Sequence, residues 1–529
     1  MVKVTMEPVK RKLVLRFRRF KPLMDEVKCM RGAEYISPEK GGPAWAVTAC
    51  RRNRMQMDLM AGRPVPELAR YDLPLAGAPR RKNLKPHQVP MFQFLHTRRR
   101  CIMAAEQGTG KTLPAMEEME QAGGDWWYVS TPAVLTSIKL EFEKWGCKVQ
   151  PRWVSLNSLG KLLREYDGPA PRGVVFDEAS FLKGKGEWYD NCQHLADEMR
   201  REHGDQCWIF LLTGTPQPLE PTDWHSLAEI ACPGFLREAT KPQLTKRLAI
   251  MAPGVAVDGH VFSTVVDWKE DEVQHLGRRL DGLAYVIFSR DVQNLPELRE
   301  EIVMLKPSPA TLRAARMVVQ GAQTAVEALG KARQLSDGFQ YTDSGPKRCA
   351  TPKDGALRDF LARNKKLGRT VCFAPYRESI DRVVEVCRAK GWNVLRRDGR
   401  GWACFRQGVT KPMVDEQAVS MFLKAMDRSL DRKKLGPTVF VGHPVSGGFG
   451  LNLTAAREGL CYSCDFNWGA HAQLLKRTHR EGMDPDHPFT WYYLCHLPTD
   501  EHVLKNHKRK RDLSAITLDE IQHIFTGRF

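Results

Sequence analysis

The residues best suited to chemistry in this 529-residue chain form a glycine-rich turn, Ala105-Glu106-Gln107-Gly108-Thr109-Gly110-Lys111-Thr112. The turn stands between an apolar stretch, residues 101–104, and a run with helical periodicity. Backbone N–H groups of such a turn cradle phosphate oxygens at the N-terminus of a helix. Lys111 would reach the β- and γ-phosphates, and the Thr112 hydroxyl would ligate Mg²⁺. The pattern predicts an ATP site lined by Gly108, Thr109 and Gly110, although Ala105 stands where the usual pattern has a glycine.

An acidic pair downstream completes this chemistry. The apolar run Val174-Val175-Phe176 leads directly into Asp177 and Glu178. Both carboxylates would therefore lie at the carboxyl end of a buried strand, the edge of a parallel sheet where ligands bind. Asp177 would hold Mg²⁺, and Glu178 would orient and polarise the attacking water. A solvated acidic pair is the alternative, but the glycine-rich turn upstream, at the expected distance and in the expected order, argues against it.

Further short motifs surround these two in a fixed order. They are Leu84-Lys85-Pro86-His87-Gln88, Ser130-Thr131-Pro132, Ser155-Leu156-Asn157-Ser158-Leu159, Thr213-Gly214-Thr215-Pro216, Ser446-Gly447-Gly448-Phe449-Gly450-Leu451-Asn452-Leu453 and Gln473-Leu474-Leu475-Lys476-Arg477-Thr478-His479-Arg480. Across roughly residues 83–513 the set resembles superfamily-two helicases, and most closely the SWI/SNF-type translocases of double-stranded DNA. The chain departs from that family at Ser180, where a histidine is usual, and at Met483, where a glutamine is usual.

The resemblance implies a role for each motif. Gln88 would read the adenine base, Gly450 would belong to the nucleotide site, and Arg477 and Arg480 would reach the γ-phosphate from a second motor domain. Contacts with DNA are implied for Ser130, Thr131, Asn157, Ser158 and Arg377. The implied enzyme is a DNA-dependent ATPase that uses ATP and Mg²⁺ and acts on duplex or branched DNA. A motor that ignores sequence should contact mainly phosphates.

The resemblance and the order of apolar runs together predict an α/β fold with two RecA-like parallel-sheet motor domains. Strands are expected at residues 126–131, 173–177 and 208–213, and again near 370–374, 393–396 and 438–442, with helices between them. The predicted boundaries are a basic module at 1–60, a linker at 61–82, motor domain 1 at 83–268, a mostly helical insertion and linker at 269–355, motor domain 2 at 356–513 and a tail at 514–529.

The positive charge is concentrated at the N-terminus. The chain has a net charge of +19, and residues 1–100 hold 23 Lys and Arg against 8 Asp and Glu, a balance of +15. Such an excess predicts a polyanionic partner, most often nucleic acid. Within the module, the period-two pattern of Leu13, Leu15 and Phe17 predicts a strand, residues 21–30 a short helix, and residues 35–47 a hairpin. The segments Gly32-Ala33-Glu34-Tyr35 and Pro43-Ala44-Trp45-Ala46-Val47 resemble the small DNA-binding repeat of HARP-type annealing helicases, and an unrelated basic hairpin domain is the alternative.

Composition excludes other classes of protein. No stretch reaches the about 18 apolar residues of a membrane span, and the N-terminus has no secretory signal. The 14 scattered cysteines indicate a reducing compartment. Among them, Cys461 and Cys464 are interpreted as packing residues because the second pair that a zinc site usually needs is missing. A cytoplasmic monomer of bacterial or phage origin is expected.

Two other functions fit parts of the pattern. A strand-separating helicase for RNA or single strands would need an unwinding element, and no obvious insertion supplies one. An ATP-gated, transcription-associated regulator with slow turnover is the second alternative, against which Glu178, Arg477 and Arg480 argue. The motifs are common to repair, recombination, replication, transcription and restriction, so they specify no process.

Overall fold

A computed structural model describes residues 3–7, 12–17, 21–36, 44–184, 186–214, 220–255, 261–430, 435–447, 451–484 and 486–526. Thr215, Pro216, Gly448, Phe449 and Gly450 of the predicted motifs lie outside these residues. The chain divides into two compact units, Met1–Phe288 with Asp512–Phe529, and Ser289–Arg511.

The first 60 residues form a small α/β module. Its elements are β1 (Lys3–Glu7), β2 (Lys12–Arg16), α1 (Lys21–Lys28), β3 (Glu34–Ile36), β4 (Ala44–Thr48) and α2 (Arg51–Met60). The four strands pair antiparallel in the order β1-β2-β4-β3. Alternation along β2 turns Leu13 and Leu15 into a core that also holds Val27, Met30 and Val47. The predicted strand, short helix and hairpin are confirmed.

This module packs against the motor part of the first unit through α2. Arg52, only 6 % exposed, forms a buried ion pair with Glu229 and donates to the carbonyls of Leu236 at 2.8 Å and Arg237 at 3.1 Å, and also to that of Glu238. Gly234 has a positive φ of 89°, and a Cβ there would lie 2.7 Å from a methyl carbon of the module, so the close approach requires glycine. The module is thus held to the motor by buried charge and by tight packing.

The motor part of the first unit alternates strands and helices. Its elements are α3 (Pro66–Ala69), α4 (Gln88–Arg98), β5 (Arg100–Ala105), α5 (Thr112–Ala122), β6 (Trp126–Ser130), α6 (Pro132–Lys144), β7 (Arg152–Ser155), α7 (Leu156–Glu165), β8 (Gly173–Asp177), α8 (Glu187–His203), β9 (Trp208–Thr213), α9 (Asp223–Ala231), α10 (Lys241–Leu248), β10 (Ala249–Val255), β11 (Val261–Trp268), α11 (Glu270–Arg279) and β12 (Ala284–Ile287).

Six of these strands form one parallel sheet in the order β12-β5-β9-β8-β6-β7. The inner strands are buried on both faces, which is why the sequence shows continuous apolar runs there rather than alternation. The predicted strands at β6, β8 and β9 are confirmed. The edge strand β12 lies in the stretch predicted to be mostly helical. It was not predicted because four residues are too few to show a period.

Residues 61–82, predicted as a linker, lie against the first sheet and α5. The Tyr71 ring is buried, and its hydroxyl donates to the Arg100 carbonyl at 2.9 Å. Arg81 forms two bonds with the Glu120 carboxylate, at 3.0 and 2.7 Å, and the backbone N–H of Arg80 donates to Glu117 at 2.6 Å. The segment is fastened to the helix that follows the glycine-rich turn.

The second unit has its own α/β arrangement. Its elements are α12 (Ser289–Val292), β13 (Leu298–Met304), α13 (Pro309–Gln320), α14 (Ala325–Ser336), β14 (Phe339–Thr342), β15 (Gly345–Arg348), α15 (Lys353–Asn364), β16 (Arg369–Phe373), α16 (Arg377–Ala389), β17 (Asn393–Asp398), β18 (Gly401–Phe405), α17 (Glu416–Met426), β19 (Thr438–Gly442), α18 (Pro444–Gly447), β20 (Glu458–Cys461), α19 (Trp468–Thr478), β21 (Phe489–Cys495) and the part of α20 (Pro498–Thr526) that ends at Arg511.

Seven strands form the sheet of this unit, in the order β13-β21-β20-β16-β19-β17-β18, and all neighbours are parallel except β17 and β18. The two sheets are consistent with two RecA-like domains, so the predicted fold class is confirmed. The stretch predicted to be mostly helical also contributes β13 and the hairpin β14–β15, and in this respect the prediction was wrong. Among the described residues, each helix is either too short or too polar to cross a bilayer.

Candidate functional site

The glycine-rich turn joins β5 to α5. Gly108 and Gly110 have φ angles of 90° and 77°, a region that side chains disfavour, so glycine permits the tight turn. The Thr109 hydroxyl donates to the Glu106 carbonyl at 2.7 Å, which closes the turn on itself. Thr112 begins α5 and is buried, while Lys111 immediately before it is half-buried. The geometry places backbone donors and the Lys111 cation at the N-terminus of a helix, as a phosphate site requires.

Two side chains that precede α4 or begin it hold the carbonyls of this turn. His87 Nε2 donates to the Thr109 carbonyl at 2.9 Å, and Gln88 Nε2 donates to the Gly110 carbonyl at 2.9 Å. In a trans peptide the N–H points opposite to the carbonyl. These bonds therefore direct the N–H groups of Gly110 and Lys111 away from α4.

The Gln88 side chain, predicted to read the adenine base, also bonds within the protein. Its other amide atom, Oε1, accepts the backbone N–H of Lys85 at 2.8 Å, and the side chain is buried. Both ends of the amide are therefore engaged in the protein. In this structure Gln88 supports the glycine-rich turn. Its amide retains a second N–H donor and a second oxygen lone pair, and its role in reading the adenine base stays a prediction.

The acidic pair lies at the end of β8. Tyr128 donates its hydroxyl to Asp177 Oδ2 at 2.9 Å, and the Glu178 N–H donates to Asp177 Oδ1 at 2.9 Å. Burial and the Asp177 carboxylate raise the pKa of Tyr128 well above its usual range, so the phenol remains a donor. Each Asp177 oxygen keeps a second lone pair. With the Thr112 hydroxyl, Asp177 therefore fits a hard, oxygen-binding cation such as Mg²⁺.

The sheet brings these groups together. Strands β5 and β8 both neighbour β9, so the turn and the acidic pair are two strand spacings apart, about 10 Å. Gln107 bridges them, with Nε2 at 3.4 Å from Glu178 Oε1. Gly214, at the end of β9, packs on the same side chain, because a Cβ there would lie 3.0 Å from Gln107 Cγ. The sequence singled out neither Gln107 nor Tyr128, since their roles depend on neighbouring strands rather than on motif spacing.

Three of the residues predicted to contact DNA lie beyond β6 and β7. Thr131 precedes α6 and is half-buried, while Asn157 and Ser158 are exposed in the first turn of α7. The two strands are parallel neighbours, so the N-termini of both helices open at one edge of the sheet. Helix N-termini favour phosphate groups.

Ser130 belongs to the same predicted set, and its contact with DNA stays a prediction. It is fully buried at the end of β6, and its hydroxyl donates to the Asp177 carbonyl at 2.8 Å. The strand lies between β8 and β7 in the sheet. Ser130 is an internal link between the acidic pair and the edge that carries Thr131.

In the second unit the last two motifs lie side by side. Arg477 is in the last turn of α19, and its carbonyl accepts the Leu453 N–H at 3.2 Å. Arg480 follows the helix, and its guanidinium contacts the Leu451 carbonyl at 3.5 Å. Both arginines are half-buried. Arg377, exposed at the start of α16, lies close to Gly399, with 3.7 Å between a guanidinium nitrogen and an added Cβ at that glycine.

Comparisons with known proteins give low-identity similarities of one kind. The chain is 25 % identical to the fission-yeast DNA repair protein rhp54 over 156 residues, which is 30 % of this chain and 16 % of that protein. It is 26 % identical to the chicken DNA repair and recombination protein RAD54B over 185 residues, which is 35 % of this chain and 18 % of that protein. A mouse protein, DNA repair and recombination protein RAD54-like, is 22 % identical over 540 aligned positions, 84 % of this chain and 67 % of the mouse protein.

These similarities support a superfamily-two motor of the SWI/SNF type, and with it an ATPase or helicase enzyme. No family model matches the chain. The chain spans less than a fifth of the fission-yeast and chicken proteins. These relatives are eukaryotic, so a bacterial or phage source and the HARP-type likeness stay predictions.

Proposed function

We propose that this chain is an ATP-driven motor that tracks along duplex or branched DNA without separating the strands. The observation that supports the proposal is that the strands of the first sheet carry two kinds of residues at their carboxyl ends. The strands β5, β9 and β8 end in groups suited to phosphate chemistry, and the adjoining strands β6 and β7 end at Thr131, Asn157 and Ser158. A change at the nucleotide can therefore reach the DNA-facing helices through a rigid sheet.

In the hydrolysis step the chain's own residues bind and orient. Lys111 and the N–H groups of the turn would hold the β- and γ-phosphates, and Glu178 would hold the attacking water and draw its proton. Thr112 and Asp177 would hold Mg²⁺, which supplies charge neutralisation on the phosphate oxygens when bound. Arg477 and Arg480 would stabilise the charge that develops on the γ-phosphoryl group.

Coupling to movement would use the contacts around Asp177. Ser130 bonds its carbonyl and Tyr128 its carboxylate, and both belong to β6, the strand that leads into Thr131. A shift of the acidic pair on phosphate release would act directly on the N-terminus of α6. Gly214 and Gln107 provide a second link from the end of β9 to the turn.

The basic module would add a second grip on DNA. Its exposed cations include Arg16, Lys21, Arg31, Arg51 and Arg54. Tyr35 is also exposed and packs edge-to-face on Trp45, with 5.4 Å between the ring centroids. Cations around an aromatic ring suit a phosphate backbone and an unstacked base. We propose that this module works as an annealing or branch-recognition element of HARP type in a bacterial or phage protein.

The decisive test is the steady-state ATPase rate with duplex, forked and single-stranded DNA and with RNA, each at saturating concentration. Duplex or forked DNA should stimulate most. In parallel, the protein should displace the third strand of a triplex and fail to unwind a plain tailed duplex. Glu178→Gln provides the background rate for both assays. Strong unwinding of the tailed duplex, with single strands as the best activator, would instead indicate a strand-separating helicase.

The DNA-facing edge has its own test. Asn157→Asp keeps the size of the side chain and adds a negative charge at the N-terminus of α7, so the DNA concentration for half-maximal ATPase should rise several-fold. Gln206→Glu is the matched control, since residue 206 is exposed and precedes β9 at the opposite edge of the sheet. Equal effects of the two variants would contradict the assignment of this edge to DNA.

A further inference from the structure

Three metal-binding side chains converge where β20 meets α19. Cys461 ends β20, Cys464 follows in the loop, and His471 lies in the first half of α19. Their ligand atoms all lie within 4.8 Å of one another, and Cys461 and His471 are buried. The sequence predicts a packing role for these cysteines, because the second pair that a zinc site usually needs is missing. The turn into α19 brings it back toward the thiols.

The loop that carries Cys464 is held in place without a metal. The Cys464 carbonyl accepts a bond from the buried Arg333, and Lys510 donates to the Phe466 carbonyl at 3.1 Å. Asp465 accepts the Asn467 N–H at 2.9 Å, and the Asn467 side chain caps α19 by accepting the Ala470 N–H at 3.1 Å. The loop geometry is therefore fixed before any ligand arrives.

A hydrogen-bond chain sets the tautomer of His471. Tyr493 donates its hydroxyl proton to Glu300 Oε1 at 2.9 Å, so towards His471 its oxygen is an acceptor. His471 Nε2 lies 3.0 Å from that oxygen and must carry the proton. The lone pair of the ring is then on Nδ1. Protein histidines that bind metals are oriented in this way, by a partner on the other ring nitrogen.

We propose that Cys461 Sγ, Cys464 Sγ and His471 Nδ1 form a zinc site. Two thiolates two residues apart and an imidazole are the ligands that Zn²⁺ prefers, and softer ligands of this kind disfavour Mg²⁺ and Ca²⁺. Water or another exogenous donor would complete a tetrahedral shell. The ion would fasten the end of β20 to α19, the helix that carries Arg477.

The test uses the full-length chain, purified in a reducing buffer and supplied with Zn²⁺. Elemental analysis after desalting should find about one Zn²⁺ per chain. Exchange for Co²⁺ should produce the thiolate-to-cobalt charge-transfer band and the visible bands of tetrahedral coordination. Cys464→Ala and His471→Asn should lose the ion. Cys404→Ala removes a buried thiol of the same unit outside the cluster and should retain it.

Tyr493→Phe keeps the ligands and removes the partner of His471 Nε2, so Zn²⁺ affinity should fall by about 10- to 100-fold. Because this variant keeps all three ligands, its lower Zn²⁺ affinity still tests the proposed site if a ligand variant fails to fold. Wild-type protein that takes up neither Zn²⁺ nor Co²⁺ with its thiols reduced would overturn the proposal. So would a Cys461–Cys464 disulfide that persists in reductant, or equal metal content in Cys464→Ala and wild type.

Discussion

Replacing Arg52 with methionine should weaken the packing of the N-terminal module against the motor. The side chain is 6 % exposed and connects α2 to Glu229 and to three successive backbone carbonyls. Methionine keeps most of the length and apolar surface while it removes the charge and every donor. Glu229 would be left with the Gly234 N–H, at 2.9 Å, as the protein donor that the structure describes for that carboxylate oxygen.

The cost follows from leaving a buried carboxylate without its counter-ion. Breaking a buried ion pair by removing one partner costs about 3–5 kcal/mol, because the remaining charge stays desolvated. The three carbonyls that lose their donor add to this cost only where water cannot replace the guanidinium. We therefore expect the packing of the module against the motor to be weakened by about 3 kcal/mol. At about 1.4 kcal/mol per tenfold change, opening of the interface should become roughly a hundred-fold more frequent.

Hydrogen exchange of α2 amides, measured by mass spectrometry, reports this opening directly. In Arg52→Met the slow amides of α2 should exchange about a hundred-fold faster, while those of the central sheet strands keep their rates. Arg54→Met is the matched control, because Arg54 is on the same helix but exposed, and its loss should change stability by less than about 0.5 kcal/mol. Equal exchange in the two variants would refute the reasoning.

Three further predictions concern the nucleotide site and the first sheet. Glu178→Gln should nearly abolish ATP turnover while nucleotide affinity, measured by titration calorimetry, stays within a few-fold, and normal turnover would remove Glu178 from the chemistry. Gly214→Ala brings a methyl group to 3.0 Å from Gln107 Cγ and should lower kcat by about tenfold with little change in thermal midpoint, whereas Gly330→Ala, with open space around it in the interior of α14, should leave kcat unchanged. Burial raises the pKa of Glu118, so its contribution to stability is present at low pH and is lost as the pH rises through that raised value. Glu118→Gln should therefore flatten the pH dependence of unfolding above the ordinary carboxyl range, and an unchanged pH profile would show that Glu118 is not the group responsible.

Local sequence patterns predicted most of the first sheet and the placement of its chemistry. The apolar run that ends in two acidic residues predicted β8, and the apolar run that ends in Thr213 and Gly214 predicted β9. The glycine pattern predicted the turn after β5. The edge strands β12 and β13 were missed. β12 has four residues, and β13 alternates so weakly that Glu300 and Glu301 stand side by side, so neither shows a clear period.

Individual site residues were harder to assign than motifs. Gln88 and Ser130 belong to segments that resemble functional motifs, yet both side chains bond inside the protein. Their direction depends on which strand or turn lies beside them, and that information is in the topology rather than in the spacing. The same limit applies to His471, which reaches the two cysteines only because α19 turns back against β20.

The contacts of Arg52 with the motor limit which insertions and deletions the chain can accept in evolution. The Arg52 guanidinium donates to three consecutive backbone carbonyls, so this contact depends on the course of the backbone and not on the side chains at residues 236–238. Substitutions there are tolerated by this contact, but one inserted or deleted residue between Gly234 and Glu238 would shift every carbonyl out of reach. Homologous chains that keep the module should therefore share an arginine, an acid and a glycine at these positions, and above all an unchanged loop length.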